Sequence, residues 1–171
     1  LDWSNMGFTY RTTDQRYVAN YKDGKWGEGK LTSDATVVLN ECAGILQYCQ
    51  ECFEGLKAYT TADGSIVTFR PDLNAERMMS SAVWLEMPAF PKERFLEAVD
   101  QVVAANEAWV PPYGSGATLY LRPYMFASGP VIGVKPSDEY QFRLFGTPVG
   151  PYFKGGVKPL TLCVSDFDRA A

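Results

Sequence analysis

Thr118-Leu119-Tyr120-Leu121-Arg122-Pro123-Tyr124-Met125-Phe126 alternates in character, and a repeat of two is the side-chain period of a β-strand. Thr118, Tyr120, Arg122, Tyr124 and Phe126 fall on one face, Leu119, Leu121 and Met125 on the other. Tyr120 and Arg122 therefore project side by side, about 7 Å apart along the strand. A phenol and a guanidinium so placed can hold a carboxylate jointly, with arginine supplying the bidentate fork. The same pattern also fits a solvent-facing arginine beside a half-buried tyrosine.

Outward from this strand, Tyr140 to Thr147 and Leu160 to Ser165 also read as strands. Upstream, Tyr17 to Tyr21 and Trp26 to Leu31 flank Lys22-Asp23-Gly24-Lys25, and Leu56 to Tyr59 and Ile66 to Arg70 flank Ala62-Asp63-Gly64, which predicts two hairpins. Pro71 suits the first position of a helix in which Ala75, Met78, Met79, Ala82 and Leu85 recur at helical spacing until Pro88. Pro91 opens a second helix, with Phe95, Leu96, Val99, Val102, Val103 and Asn106 on one stripe, ended by Pro111-Pro112-Tyr113-Gly114. The apolar run 42–53 predicts a short buried helix, and the Gly/Pro-rich run from Gly146 to Gly156 a loop. That loop lacks the G-K-[ST] ending of a phosphate loop. The class that results is α+β, a mainly antiparallel sheet with helices packed on it.

Composition narrows the chemistry. The 171 residues are 46% hydrophobic and 21% charged, ordinary for a folded domain. There is no histidine, so Ser-His-Asp and Cys-His catalysis and histidine-ligated metals are excluded within this chain. A net charge of −4 with no basic run argues against a nucleic-acid partner, and no stretch approaches the roughly 18 apolar residues of a membrane span. Without a secretion-signal layout the expectation is a cytoplasmic protein with small-molecule or protein partners. Cys42, Cys49, Cys52 and Cys163 do not form a disulfide framework. Cys49-x-x-Cys52 lacks the second pair or histidines of a zinc site and reads as packing or surface thiols.

Two further features could carry function. Arg77 lies in the first two turns of the helix opening near Pro71, where free N–H groups and the macrodipole favour an anion such as phosphate; alternatively it is an exposed arginine paired with Glu76 or Asp72. Phe8, Tyr10, Tyr48, Phe53, Tyr59 and Tyr152 supply rings for an apolar pocket if the fold brings them together.

Four blocks carry a resemblance. Phe53-Glu54-Gly55-Leu56-Lys57-Ala58-Tyr59, Phe69-Arg70-Pro71-Asp72-Leu73-Asn74-Ala75-Glu76-Arg77-Met78, Tyr120-Leu121-Arg122-Pro123 and Thr147-Pro148-Val149-Gly150-Pro151-Tyr152-Phe153, in that order, closely resemble the branched-chain amino acid aminotransferases. The resemblance covers the whole chain but only the amino-terminal half of that family's sequence. It implies the small domain of a fold type IV enzyme using pyridoxal 5′-phosphate, with residues 1–150 the small α+β domain and 151–171 the interdomain crossing and start of the large one. The implied reaction passes the amino group of Leu, Ile or Val to 2-oxoglutarate.

By the same resemblance, Arg77 binds the cofactor phosphate, Phe8, Tyr48, Phe53, Tyr120 and Tyr152 form the substrate pocket, and Arg122 engages the distal carboxylate of glutamate or 2-oxoglutarate. Ile132-Gly133-Val134 matches a loop that reaches the neighbouring subunit's site, implying a homodimer. The Schiff-base lysine is expected beyond Ala171, so no catalytic residue is placed in this stretch, which alone is expected to be inactive. Lys57, on a hairpin strand, is expected to lie away from the phosphate site. The rivals are D-amino acid aminotransferase and aminodeoxychorismate lyase, on the same fold, and a non-catalytic anion-binding or dimerisation domain.

Overall fold

The computed structural model describes residues 1–153 and 158–166. Its centre is an antiparallel pair, β7 (Thr118–Ala127) and β8 (Tyr140–Val149), in register from Thr118↔Val149 to Ala127↔Tyr140. Outside β8 lies β1 (Arg16–Lys22), on which β2 (Lys25–Trp26) and β3 (Lys30–Thr32) fold back. Outside β7 lie β4 (Glu51–Phe53) and β5 (Leu56–Thr60), with β6 (Ile66–Thr68) beyond β5. Every pairing described is antiparallel, and the strand order is β2-β1-β8-β7-β5-β6.

Local chemistry sets the turns. Asp23 and Gly24 link β1 to β2 with φ of 53° and 76°, the double positive φ of a two-residue hairpin turn whose twist matches the strands it joins. In the second hairpin the Asp63 carboxylate accepts hydrogen bonds from the Thr61 hydroxyl and the Ser65 N–H, closing the turn before β6.

One face of the sheet is roofed by α2 (Pro71–Trp84) and α3 (Lys92–Ala105). Ala75, Met78 and Ala82 of α2, and Phe95, Ala98, Val99 and Val102 of α3, are buried with Ala19, Leu56, Ala58, Leu119, Leu121, Met125, Phe142 and Leu144 of the sheet. Phe90, between the helices, stacks on Phe142 with centroids 3.8 Å apart. The helix boundaries follow the prolines: α2 begins at Pro71 and ends before Pro88, and Pro91 is the N-cap of α3.

Asn106, at the end of the α3 stripe, is buried for a polar reason. Its Oδ1 accepts from the Gln15 N–H (2.9 Å), and its Nδ2 donates to the carbonyls of Gln15 (2.9 Å) and Val102 (2.7 Å), fixing the start of β1 to the end of α3.

Three expectations are corrected. Residues 42–53 are not one buried helix: α1 (Gly44–Tyr48) buries only Gly44, Cys49 ends it in the left-handed region at φ 52°, and Cys52 and Phe53 join the sheet as β4. Pairing with β7 gives those residues ladder bonds and still buries the alternate residue, Cys52, whose thiol is pushed up to about 11 by burial. Gly146 to Val149 are strand, not loop. The Gly146 carbonyl and the Gly150 N–H both turn from β7 to the amino-terminal segment, so Pro148 between them loses no ladder bond by lacking an N–H. Leu160 to Ser165 form no strand, and Leu162 and Val164 are exposed, because no described strand pairs with them. Part of the expected crossing, 154–157 and 167–171, lies outside the described residues. Among the described residues no helix is long and apolar enough to cross a membrane.

Candidate functional site

Because Leu119, Leu121 and Met125 face the helices, Tyr120, Arg122 and Tyr124 must face away from them. On that open face Arg122 Nε donates to the Tyr120 hydroxyl at 3.0 Å, and its guanidinium lies 4.2 Å from the centroid of the Phe53 ring. Phe8 packs edge-on against Tyr120 (5.7 Å) and Tyr152 (5.6 Å). Five of the expected pocket residues, Phe8, Phe53, Tyr120, Arg122 and Tyr152, are thus gathered from four separate parts of the chain.

Pro123 positions this cluster. Its carbonyl accepts from the Glu54 N–H (2.9 Å), and a strand residue's N–H side is also its carbonyl side, so its missing N–H faces the break between β4 and β5. The break is Glu54-Gly55. A methyl on Gly55 would lie 2.6 Å from the Tyr120 hydroxyl, so only glycine lets the tyrosine lie against the backbone there.

Glu54 turns to a second feature, a cleft of about 390 Å³ lined by Gly55, Lys57, Tyr59, Phe69, Arg70, Asn74, Arg77 and Tyr120, among others. Its carboxylate takes Arg77 bidentately, from Nε at 3.0 Å and Nη2 at 2.7 Å, and Asn74 Nδ2 at 2.8 Å. That hydrogen bond and charge raise the Arg77 pKa further. Arg70 caps α2 in the left-handed region (φ 46°) and grips Asp72 bidentately, holding that carboxyl at about 2.

These contacts correct two expectations. Arg77 is paired neither with Glu76, which takes Lys92, nor with Asp72, which takes Arg70. Lys57 does not lie away from Arg77: paired with Tyr120 across the β5–β7 register, it lines the same cleft, and no described residue forms an ion pair with it. A phosphate group fits this donor set. Arg77 keeps N–H groups beyond the two that Glu54 takes, and Lys57 is an unpaired ammonium on the same wall.

Tyr48, Ile132 and Val134 gather elsewhere. The Tyr48 hydroxyl donates to the Ile132 carbonyl, and the Ile132 and Val134 side chains are 82% and 90% exposed. No hydrogen bond or ring contact links them to the Tyr120 cluster among the described residues. Sequence reasoning missed Glu54 and Asn74 as site residues, although both lie inside the blocks that carried the resemblance.

No protein-family model matches the chain. Solved structures share its fold. A branched-chain aminotransferase from Thermoproteus uzoniensis with norvaline superposes with a TM-score of 0.66 at 23% identity, over 83% of this chain and 43% of that one. One from Thermobaculum terrenum in its PLP-form (holo-form) does so with 0.57 at 20% identity, over 81% and 41%. The architecture is therefore that of the small-domain portion of a fold type IV enzyme.

The sequence relatives narrow this. The branched-chain-amino-acid aminotransferase of Haemophilus influenzae is 55% identical over 171 residues, covering 100% of this chain and 50% of the relative. Over its whole length the chain is homologous to proteins named branched-chain-amino-acid aminotransferase, and it spans about half the length of the curated relatives it matches.

Proposed function

We propose that this chain supplies the substrate-recognition and phosphate-binding wall of a branched-chain amino acid transaminase, which exchanges the amino group of Leu, Ile or Val with 2-oxoglutarate. The carrying observation is that Tyr120 belongs at once to the Phe8–Phe53–Arg122–Tyr152 cluster and to the cleft under Arg77. Residues 1–150 then form the small domain and 151–171 the passage to the rest of the enzyme.

The division of labour follows from the chemistry of the groups. A branched aliphatic side chain gains by entering the ring-lined cluster, where apolar surface leaves water. A second carboxylate instead meets the Tyr120–Arg122 pair, whose guanidinium is partly desolvated against Phe53 and so attracts an anion more strongly than it would in water. Arg77 and Lys57 hold the phosphate, and Glu54 with Asn74 keeps the Arg77 fork turned toward the cleft. Pyridoxal 5′-phosphate, when bound, supplies an electron sink for the substrate α-carbon. The holo form of the Thermobaculum terrenum relative supports that choice of cofactor.

Ile132 and Val134, exposed at the tip of a loop tied to Tyr48, suit insertion against a second copy, so we take the assembly to be a homodimer. Small soluble substrates and four free thiols suit a cytoplasmic setting.

In the full-length enzyme, Arg77→Ala should lose cofactor on dialysis at least about tenfold faster, a charge-assisted contact being worth about 1.5–3 kcal/mol. Retention equal to wild type, read from cofactor absorbance, would remove Arg77 from the phosphate site. Arg122→Met should lower kcat/KM for glutamate about tenfold or more while leaving leucine within about threefold. Equal losses for both substrates would deny it the selectivity role.

A further inference from the structure

Two arginines lie almost wholly inside the fold on the same sheet face as Arg122, Arg143 one strand over on β8 and Arg16 two strands over on β1. Arg16 is 4% exposed and Arg143 7%. An arginine cannot shed its charge, so burial without a counter-charge is costly. Yet neither guanidinium forms an ion pair among the described residues.

Their partners are neutral. Arg16 donates to the carbonyls of Ser33 and Thr13, and Arg143 to the Thr36 carbonyl at 3.2 Å and Gln141 Oε1 at 3.3 Å. Two guanidinium groups carry ten N–H donors, so most remain unused. No side-chain nitrogen in the described residues is sealed away without a partner, so any guanidinium nitrogen here that lacks one keeps access to open space. The carboxyl that feels both charges, Asp34, is exposed and engaged with the Thr36 N–H at 2.8 Å.

That accessible space is a cavity of about 280 Å³, lined by both arginines with Tyr10, Tyr124 and Phe145, and sharing no residue with the cleft under Arg77. Burial raises the Tyr124 pKa while Arg143 opposes the rise, which puts the phenol beside the guanidinium and keeps it protonated as a further donor.

We propose that this cavity is an anion-binding site, taking one small dianionic oxyanion between Arg16 and Arg143. The two positive charges match its charge, and the spare N–H groups match its acceptor-only oxygens. The site does not depend on the transaminase reading, and the test separates the two.

The experiment uses the full-length protein and selenate, a tetrahedral dianion, against sodium chloride at matched ionic strength. Selenate should raise the melting temperature of wild type and of Arg77→Ala alike, and the response should be lost in Arg143→Gln, with binding by calorimetry at least about tenfold weaker. A response lost in Arg77→Ala but kept in Arg143→Gln would place the anion in the other cleft and overturn the proposal. So would the absence of any response in wild type, which would mean that the rest of the protein fills the cavity. Should Arg143→Gln not fold, anomalous diffraction from selenate-soaked wild-type crystals decides: a peak within hydrogen-bond distance of both guanidinium groups supports the site, and no peak there overturns it.

Discussion

Alanine at Gly150 is expected to unfasten the amino-terminal segment and to lower stability by about 1–3 kcal/mol or more. A methyl at this position would sit 1.8 Å from the Met6 carbonyl oxygen and 2.7 Å from its carbon. The Cβ is fixed by its own backbone and the atoms it meets are backbone, so no rotamer change relieves the clash. The Gly150 N–H also donates to the Gly7 carbonyl at 3.2 Å, so the contact is an attachment as well as a close approach. Either the end of β8 or residues 6–8 must shift, and Phe8 shifts with the latter, leaving Tyr120 and Tyr152 without their ring partner. Urea titration should show a lower midpoint for Gly150→Ala, and limited proteolysis should cut within residues 1–10 sooner than in wild type. Gly133→Ala is the control, since a methyl there meets nothing within 4 Å. A wild-type midpoint for Gly150→Ala would mean that this segment does not dock on β8.

Asn106→Ala should cost about 2–4 kcal/mol, because it both opens a cavity and strands buried polar groups. The side chain fills space between α3 and the entry to β1 and serves the Gln15 N–H, the Gln15 carbonyl and the Val102 carbonyl together. Asn106→Leu tests which part dominates. It restores volume but none of the three hydrogen bonds, so it should recover little of the loss if polar satisfaction governs the site. Denaturant midpoints at constant m-value give both numbers. Recovery by leucine to within about 0.5 kcal/mol of wild type would reduce Asn106 to a space-filler.

Asn106 also marks where pattern reading runs out. Its place on the buried stripe of α3 follows from helical spacing, but the backbone it serves lies 91 residues earlier, at Gln15. Arg77 is a similar case. Its position early in α2 is legible from Pro71, whereas its partner is Glu54, 23 residues away on the break between β4 and β5, and not the neighbouring Glu76 or Asp72 that helical spacing offers. The buried helix expected over 42–53 failed for the same reason: an apolar run indicates burial without indicating the partner, and β7 was available to pair with Cys52 and Phe53. Nothing in the strand that carries Lys57 places it at the cleft; only the register with Tyr120 does.

The sequence by itself determined the Asp-Gly hairpin at residues 23 and 24, the proline-bounded helices α2 and α3, and the face of β7 on which Tyr120 and Arg122 stand. These rest on interactions within a few residues: allowed backbone angles, the missing N–H of proline, and the two-residue pleat. Only the tertiary structure decided that Phe8, Phe53 and Tyr152 would meet on that face, that Glu54 would hold Arg77, and that Arg16 and Arg143 would share one cavity. Those meetings depend on strand order and register, which many residues fix jointly and which leave no mark in the spacing of any two.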